Sequence, residues 1–156
     1  MVQELASSLI KKLQENNLTL AVAESLTGGL VAASLTEIPG ASKVFKGSIT
    51  AYSDEIKQNV LNVNKETISK FTSISEQVAL EMAINVRTIM KSDIGISTTG
   101  VAGPEKSAGF APGLVFVAIS IGDHNMCQKL EITGDRSKIR NQTVHEILQL
   151  TLSRLV

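Results

Sequence analysis

Three residues whose types can form a catalytic group lie close to predicted strand ends: Ser25, Tyr52 and Lys57. A serine hydroxyl becomes a nucleophile when a neighbouring base removes its proton, and a lysine can be that base when burial keeps its amine neutral. Ser25 lies in the segment Glu24–Gly29, which separates two apolar runs. This pattern predicts a strand-to-helix turn that presents Ser25 at the end of a strand.

The glycine pair of this turn allows a second interpretation. Gly28 and Gly29 permit backbone N–H groups at the start of a helix to face a ligand without intervening side chains. From the residues alone, the segment is either an activated nucleophile or an anion-binding turn. A serine at this position is also typical of a helix N-cap.

The two histidines are poorly placed to activate Ser25. His124 falls in a predicted hairpin turn, and His145 lies in the last predicted helix beside apolar neighbours. A Ser-His-Asp triad is therefore disfavoured. Tyr52, the sole tyrosine, and Lys57 on the following helix can converge on one point outside the sheet edge, where open α/β sheets usually bind ligands. The alternative is a solvated lysine and a partly buried tyrosine.

Two further segments contain residues suited to binding an anion. The loop Thr99–Pro104 follows another predicted strand, and its glycines allow a phosphate or an oxyanion to approach the backbone. Arg136 opens the last helix and Arg140 lies one turn further on; arginine suits phosphate and carboxylate groups. The alternatives are a plain tight loop and two solvated arginines behind an N-cap at Asp135.

Hydrophobic periodicity and turn residues predict alternating helices and strands. Helices are expected at 3–16, 27–36, just after Ser53, 64–70, 75–91 and 136–154, and strands at 18–23, 45–52, 93–98, 114–121 and 126–133, with 105–112 irregular. The last two strands should form a hairpin across Gly122–His124. This order predicts one α/β domain over residues 1–156, a three-layer α/β/α arrangement with a mixed central sheet.

Composition excludes several functional classes. Acidic and basic residues balance to a formal charge of zero, and aromatic residues are 3% with no tryptophan, so we expect no nucleic-acid partner. Cys127 has no second cysteine and no ligand spacing, which predicts an inert thiol and no metal site. Without a basic leader or a long apolar run, a cytoplasmic protein with no membrane partner is expected. Chains of this size often form homo-oligomers, such as dimers or higher assemblies.

Six segments together resemble the CinA C-terminal domain family of competence/damage-inducible proteins, including its stand-alone nicotinamide-nucleotide amidases. They occur in family order across nearly the whole chain: 23–29 (Ala-Glu-Ser-Leu-Thr-Gly-Gly), 38–42 (Ile-Pro-Gly-Ala-Ser), 50–57 (Thr-Ala-Tyr-Ser-Asp-Glu-Ile-Lys), Ser75-Glu76, 99–104 (Thr-Gly-Val-Ala-Gly-Pro) and Gly134-Asp135-Arg136 with Arg140.

The resemblance implies hydrolysis of the carboxamide of nicotinamide mononucleotide, which gives nicotinate mononucleotide and ammonia without a metal or cofactor. It implies that Ser25 is the nucleophile and that Lys57 and Tyr52 handle protons. A nucleotide substrate also needs a cradle for its phosphate and donors for the oxyanion. The substrate-binding candidates are Thr27, Gly28, Gly29, Thr99, Gly100, Gly103, Arg136 and Arg140.

One segment departs from the family pattern. After Ala-Gly-Pro, the amidase-like members continue with a glycine pair and later a lysine before proline. Residues 105–114 of this chain lack the pair, and Ala111 stands before Pro112. Lys106 is a possible replacement for the missing charge, and Phe110 makes the segment more apolar. The departure predicts altered substrate contacts and leaves a non-catalytic nucleotide-binding module as the alternative. A protein-interaction role rests on the family name alone.

Overall fold

A computed structural model describes residues 1–155 of the chain. In chain order, its helices and strands are α1 (Val2–Glu15), β1 (Leu20–Glu24), α2 (Leu30–Thr36), β2 (Phe45–Thr50), α3 (Asp54–Asn59), α4 (Lys65–Phe71), α5 (Glu76–Met90), β3 (Ile94–Gly100), β4 (Leu114–Ile121), β5 (His124–Glu131) and α6 (Arg136–Ser153). A short 3-10 turn at Ala41–Lys43 lies between α2 and β2.

The five strands form one sheet in the order β2-β1-β3-β4-β5. β1 pairs in parallel with both β2 and β3, whereas β4 is antiparallel to β3 and β5. The mixed sheet predicted from the sequence is therefore confirmed. All five residues of β1 are buried, as expected for a parallel strand covered on both faces.

Helices cover both faces of the sheet. In β1, Leu20 and Val22 pack into a core with α1, α2 and α6, whereas Ala21 and Ala23 pack into a second core with α5. Successive side chains of a strand point to opposite faces, so one short apolar strand supplies both cores. This arrangement confirms the predicted three-layer α/β/α fold.

Most element boundaries differ from the sequence prediction by one to three residues, and two of these shifts have a clear local cause. α2 begins at Leu30 instead of residue 27, because Gly28 and Gly29 adopt positive φ angles of 56° and 106°, which a right-handed helix cannot contain. β5 begins at His124 instead of residue 126, because the hairpin loop is only Gly122 and Asp123. Neither shift changes the topology.

Some features of the described residues bear on classes of function. None of the helices between residues 1 and 155 has the length and apolar character needed to cross a membrane. In the same range, no three His, Cys, Asp or Glu side chains are grouped as a metal site. Cys127 is half-buried on β5, and burial, with Glu76 nearby, raises the pKa of its thiol to about 12.

Candidate active site

The candidate site lies at the carboxyl edge of the three parallel strands. Ser25 directly follows β1, Tyr52 follows β2 by two residues and Gly100 ends β3. β1 lies between β2 and β3, so the chain segments that leave these strands converge there. A cleft of about 630 Å³ opens at this edge. Ser25, Tyr52, Lys57, Gly100 and Arg136 are among its lining residues.

Ser25 and Lys57 form the hydrogen-bonded pair at the floor of the cleft. Lys57 Nζ donates to Ser25 Oγ across 2.9 Å and to the backbone oxygen of Tyr52 across 3.3 Å. Lys57 is only 2% exposed and Ser25 only 7%. The bond joins residues that are 32 positions apart in the sequence. Lys57 lies on α3, whose start is fixed by a cap in which Ser53 Oγ accepts from the Ile56 N–H. The Ser25 hydroxyl and the Lys57 amine are thus within proton-transfer distance.

Burial changes the protonation behaviour of Lys57. It lowers the pKa of the ammonium from 10.5, an effect that the negative charge of Asp54 partly opposes. Within residues 1–155, no carboxylate oxygen lies within 4.0 Å of Lys57 Nζ to offset the loss of hydration. The neutral amine, which is the form that can accept a proton from Ser25, therefore becomes available at a lower pH.

The turn that follows Ser25 is closed by the buried carboxylate of Glu24. Glu24 is 0% exposed. Its oxygens accept from the backbone N–H groups of Gly29 (3.2 Å), Val31 (2.9 Å) and Ala32 (3.1 Å). The N-terminus of a helix favours a negatively charged partner, and at α2 the Glu24 carboxylate is that partner. Gly28 N–H is also engaged, by the Ser25 carbonyl at 3.0 Å, so the N–H groups of Gly28 and Gly29, predicted to bind substrate, are already occupied.

The threonine of the turn also has an internal role. Thr27 Oγ1 lies 2.8 Å from Thr98 Oγ1, and both residues are 0% exposed. The Ser25 N–H donates to the Thr98 carbonyl at 3.0 Å. Thr27 does not line the cleft, so its side chain ties the turn to β3. By contrast, the Leu26 N–H has no acceptor among residues 1–155, and Leu26 lines the cleft.

Arg140, one of the predicted substrate-binding residues, is not among the residues that line the cleft. Its Nε donates to the Leu26 carbonyl at 3.0 Å and its Nη2 to the Thr27 carbonyl at 3.1 Å. Both acceptors lie in the turn that precedes α2, and α2 itself packs against α6. The guanidinium thus holds the backbone of the Ser25 turn.

Arg136 and Tyr52 meet at the mouth of the cleft. Arg136 Nη2 donates to the Tyr52 hydroxyl at 3.2 Å, and Nη1 donates to the Gly103 carbonyl at 2.6 Å. Tyr52 is 60% exposed. Among residues 1–155, its phenol has no hydrogen bond to Ser25 or Lys57; only its backbone carbonyl contacts Lys57. The structure therefore brings Tyr52 to the site, but with its hydroxyl on the rim.

The loop after β3 lines one wall of the cleft. Thr99 is buried, and its Oγ1 donates to the Ser73 carbonyl at 2.8 Å. A side chain at Gly100 would place its Cβ 2.6 Å from the Leu114 carbonyl, so this glycine allows β3 and β4 to approach. Gly103 contributes its carbonyl to Arg136. Thr99, Gly100 and Gly103 all border the cleft.

The segment that departs from the family pattern is divided between two surfaces. Ser107 and Ala108 line the cleft, whereas Phe110 lines a separate hollow beside β5. Lys106 is exposed and is not a lining residue of the cleft. The apolar change at Phe110 is therefore directed away from Ser25. His124 and His145, which were disfavoured as bases for Ser25, are not among the residues that line the cleft.

Three residues that contact the Ser25 turn or line the cleft were not among the predicted site residues: Glu24, Asp54 and Thr98. Glu24 had a usable signal, because a glutamate at the end of a fully apolar strand is almost never buried without partners. Asp54 lies in the first turn of α3 and also lines the cleft. Thr98 had no distinguishing signal in the sequence, since its contact with Thr27 depends on strand pairing.

Comparison with known proteins identifies the family. The family model described as the CinA C-terminal domain matches residues 2–155. A curated relative from Thermoanaerobacter pseudethanolicus, which carries the name of a competence-damage inducible protein, is 45% identical over 149 residues. The match covers 95% of this chain but 36% of that relative, so this chain spans about a third of its length.

Solved structures show the same fold over the whole chain. The structure of a competence-damaged protein (CinA) superfamily protein from Enterobacter cloacae has a TM-score of 0.97 and 32% identity, covering 100% of this chain and 93% of the other. A competence or damage-inducible protein from Enterobacter asburiae has a TM-score of 0.97 and 34% identity, covering 100% and 99%. The chain therefore belongs to the CinA C-terminal domain family.

Proposed function

We propose that the protein is an amidohydrolase that converts nicotinamide mononucleotide to nicotinate mononucleotide and ammonia. The observation that carries this proposal is the 2.9 Å hydrogen bond between Lys57 Nζ and Ser25 Oγ at the floor of the cleft. Burial of Lys57 supplies the second requirement, an amine that loses its proton readily. The family resemblance supplies the substrate.

In the first half of the reaction, Ser25 attacks the carboxamide. Neutral Lys57 takes the Ser25 proton while Oγ bonds to the amide carbon, and the carbonyl electrons move onto oxygen. The Leu26 N–H, which has no acceptor among residues 1–155, is the backbone donor for this oxyanion. The residue after a nucleophilic serine commonly serves this purpose.

In the second half, the leaving group departs and water completes the hydrolysis. The carbon–nitrogen bond breaks as the Lys57 ammonium gives its proton to the amide nitrogen, which leaves as ammonia. A water molecule then attacks the acyl ester, with Lys57 again taking a proton. Cleavage of the ester returns that proton to Ser25 and releases the carboxylic acid, which gives its own proton to solvent and becomes the carboxylate product.

The cleft offers features suited to a mononucleotide. Its volume of about 630 Å³ falls within the range of about 300–1,000 Å³ typical of small-molecule sites. Arg136 lines the cleft at its mouth, where a guanidinium can bind a phosphate. In residues 1–155, the N–H groups of Ala102 and Gly103 have no acceptor and lie in the lining of the same wall. We assign these groups to the ribose phosphate.

A direct assay tests this function. Purified protein is incubated with nicotinamide mononucleotide, and ammonia and nicotinate mononucleotide are both measured. We expect turnover by the wild type, loss of turnover in Ser25→Ala, and unchanged turnover in Ser8→Ala, a matched change on the exposed face of α1. Equal rates in wild type and Ser25→Ala would exclude Ser25 as the nucleophile.

A non-catalytic nucleotide-binding module is the second candidate. The observation that favours it is the position of the Tyr52 hydroxyl, which bonds Arg136 and not the Ser25–Lys57 pair. In that case, calorimetry detects nucleotide binding that depends on Arg136, but neither product forms. Hydrolysis that depends on Lys57 excludes this candidate.

A further inference from the structure

The backbone turn after Ser25 is held by a charged side chain from a distant helix. Arg140 on α6 donates to the carbonyls of Leu26 and Thr27, across 114 and 113 positions of sequence. An arginine fork that bonds two successive carbonyls holds their geometry more firmly than a single donor. The same guanidinium lies close to Gly28, where an added Cβ would be 3.3 Å from Nη2.

Two planar peptide groups connect Arg140 to the backbone donor beside Ser25. In a trans peptide, the carbonyl and the N–H point in opposite directions. Arg140 Nη2 holds the Thr27 carbonyl, so the Gly28 N–H of the same peptide points away from the guanidinium. There it donates to the Ser25 carbonyl at 3.0 Å.

The second peptide transmits this constraint to Leu26. The Ser25 carbonyl and the Leu26 N–H belong to one peptide group, so the bond from Gly28 also sets the direction of the Leu26 N–H. Arg140 Nε holds the other end of Leu26 through its carbonyl. Leu26 is therefore fixed on both sides, while its N–H has no acceptor in the range 1–155.

The environment of this N–H indicates that an acceptor belongs there. Leu26 is 4% exposed and adjacent to Ser25, and it lines the cleft. Buried backbone N–H groups almost always have a partner, and a donor of fixed direction is most effective at an oxyanion because no reorganisation is needed during reaction.

We infer that Arg140 is a positioning residue, which acts on catalysis by fixing the Leu26 N–H for the oxyanion and does not bind the substrate itself. This inference rests on the proposed acyl transfer at Ser25. It assigns different roles to the two arginines of α6, with Arg136 at the mouth of the cleft and Arg140 behind the turn. The two roles have different kinetic signatures.

The test separates kcat from KM in Arg140→Gln. Loss of a whole oxyanion donor lowers kcat by about 10²–10³. In Arg140→Gln the Leu26 N–H is still present but misdirected, so kcat should fall by about 10–100-fold, while KM stays within about twofold of wild type. Arg140→Lys, which keeps one donor, should recover part of kcat. Lys138→Gln removes a positive charge from the exposed face of the same helix and should match the wild type. A raised KM with unchanged kcat, or no change in either constant, would overturn the inference.

A second substrate distinguishes this inference from the proposed function. p-Nitrophenyl acetate reports acylation of Ser25 by its nitrophenolate burst, without any nucleotide. If the wild type shows a Ser25-dependent burst but releases no ammonia from nicotinamide mononucleotide, the proposed function fails, and the Arg140 variants are compared by their burst rates. A slower burst in Arg140→Gln supports the inference. An equal burst, or no Ser25-dependent acylation by either substrate, overturns it. If Arg140→Gln unfolds, Arg140→Lys makes the same comparison.

Discussion

The floor and the rim of the cleft are built in different ways. On the floor, Ser25 and Lys57 are at most 7% exposed, and each is bonded to protein groups on neighbouring elements. On the rim, Tyr52 is 60% exposed, and within residues 1–155 its hydroxyl has one hydrogen bond, from the side chain of Arg136. The floor of the cleft is therefore held by buried hydrogen bonds, whereas the rim is exposed to solvent.

This difference separates chemistry from recognition. Groups on the floor are over-determined by buried hydrogen bonds, which favours a preorganised reaction centre. Groups on the rim can rearrange around a ligand at little cost, because solvent already surrounds them. The segment that departs from the family pattern contributes Ser107 and Ala108 to the cleft, and both are exposed. We therefore expect sequence changes in this family member to alter the choice of substrate more than the reaction at Ser25.

The largest effect should come from Lys57→Met, which removes the amine that is bonded to Ser25 on the floor of the cleft. A positioned general base contributes about 10²–10⁴ to the rate, so kcat with nicotinamide mononucleotide should fall by about that factor, with little change in KM. The measurement is steady-state ammonia release, with Lys138→Met on the exposed face of α6 as the matched control. Retention of more than a tenth of kcat would contradict the assignment of Lys57.

The same variant should be more stable than the wild type. Burying an unpaired ammonium is costly, and removing such a functional group commonly adds about 0.5–2 kcal/mol. The pKa of Lys57 is 10.5 when unfolded and lower when folded, so wild-type stability rises with pH between those two values. The advantage of Lys57→Met is thus full below the folded pKa and fades towards pH 10.5. Denaturant unfolding at several pH values measures it; an advantage that grows with pH would contradict this account.

The next largest effect should come from Arg136→Met on the rim. Loss of a charge-assisted phosphate contact costs about 1.5–3 kcal/mol, so KM should rise by at least about tenfold while kcat stays within a factor of about three. Arg154→Met, at an exposed position near the end of the chain, is the control. A large loss of kcat without a change in KM would place Arg136 in the chemistry and remove the contrast between floor and rim.

A smaller effect is expected for Asp54→Asn, which removes a negative charge that acts on the pKa of Lys57. Asp54 raises the pKa of Lys57 against the lowering effect of burial. The asparagine should lower the pKa of Lys57 further, so activity should appear at lower pH than in the wild type. The acidic limb of the kcat/KM profile reports this shift. Movement of that limb to higher pH would show that another group controls it.

The smallest effect is expected for Tyr52→Phe. If the phenol belongs to the rim, as its bond to Arg136 indicates, its removal should change kcat by less than about threefold, because exposed hydrogen bonds contribute about 0.5–1.5 kcal/mol or less. Full kinetics on the nucleotide measure this. A loss of kcat comparable to that of Lys57→Met would restore Tyr52 as the proton-handling partner predicted from the sequence.

Local sequence signals predicted the elements but not the contacts made between distant segments. The apolar run of β1, the glycine pair after Ser25 and the start of α3 each have short-range signatures, so Ser25 was predicted after one strand and Lys57 on the helix that follows another. The role of Arg140 depends on the packing of α6 against α2, because Arg140 and its acceptor on Leu26 are 114 positions apart in the sequence. Glu24 acts as a cap only once the turn has closed. Both contacts are products of tertiary packing, which periodicity does not encode.

The central claim is that Lys57 is a buried amine able to accept the proton of Ser25, and an NMR titration of isotope-labelled lysine side chains tests it most directly. The signal of Lys57 is identified by its absence in Lys57→Met. We expect it to titrate below the ordinary pKa of 10.5, and to titrate lower still in Asp54→Asn. A pKa for Lys57 at or above 10.5 would contradict the account, because the lysine would then be a permanent cation and not a base for Ser25.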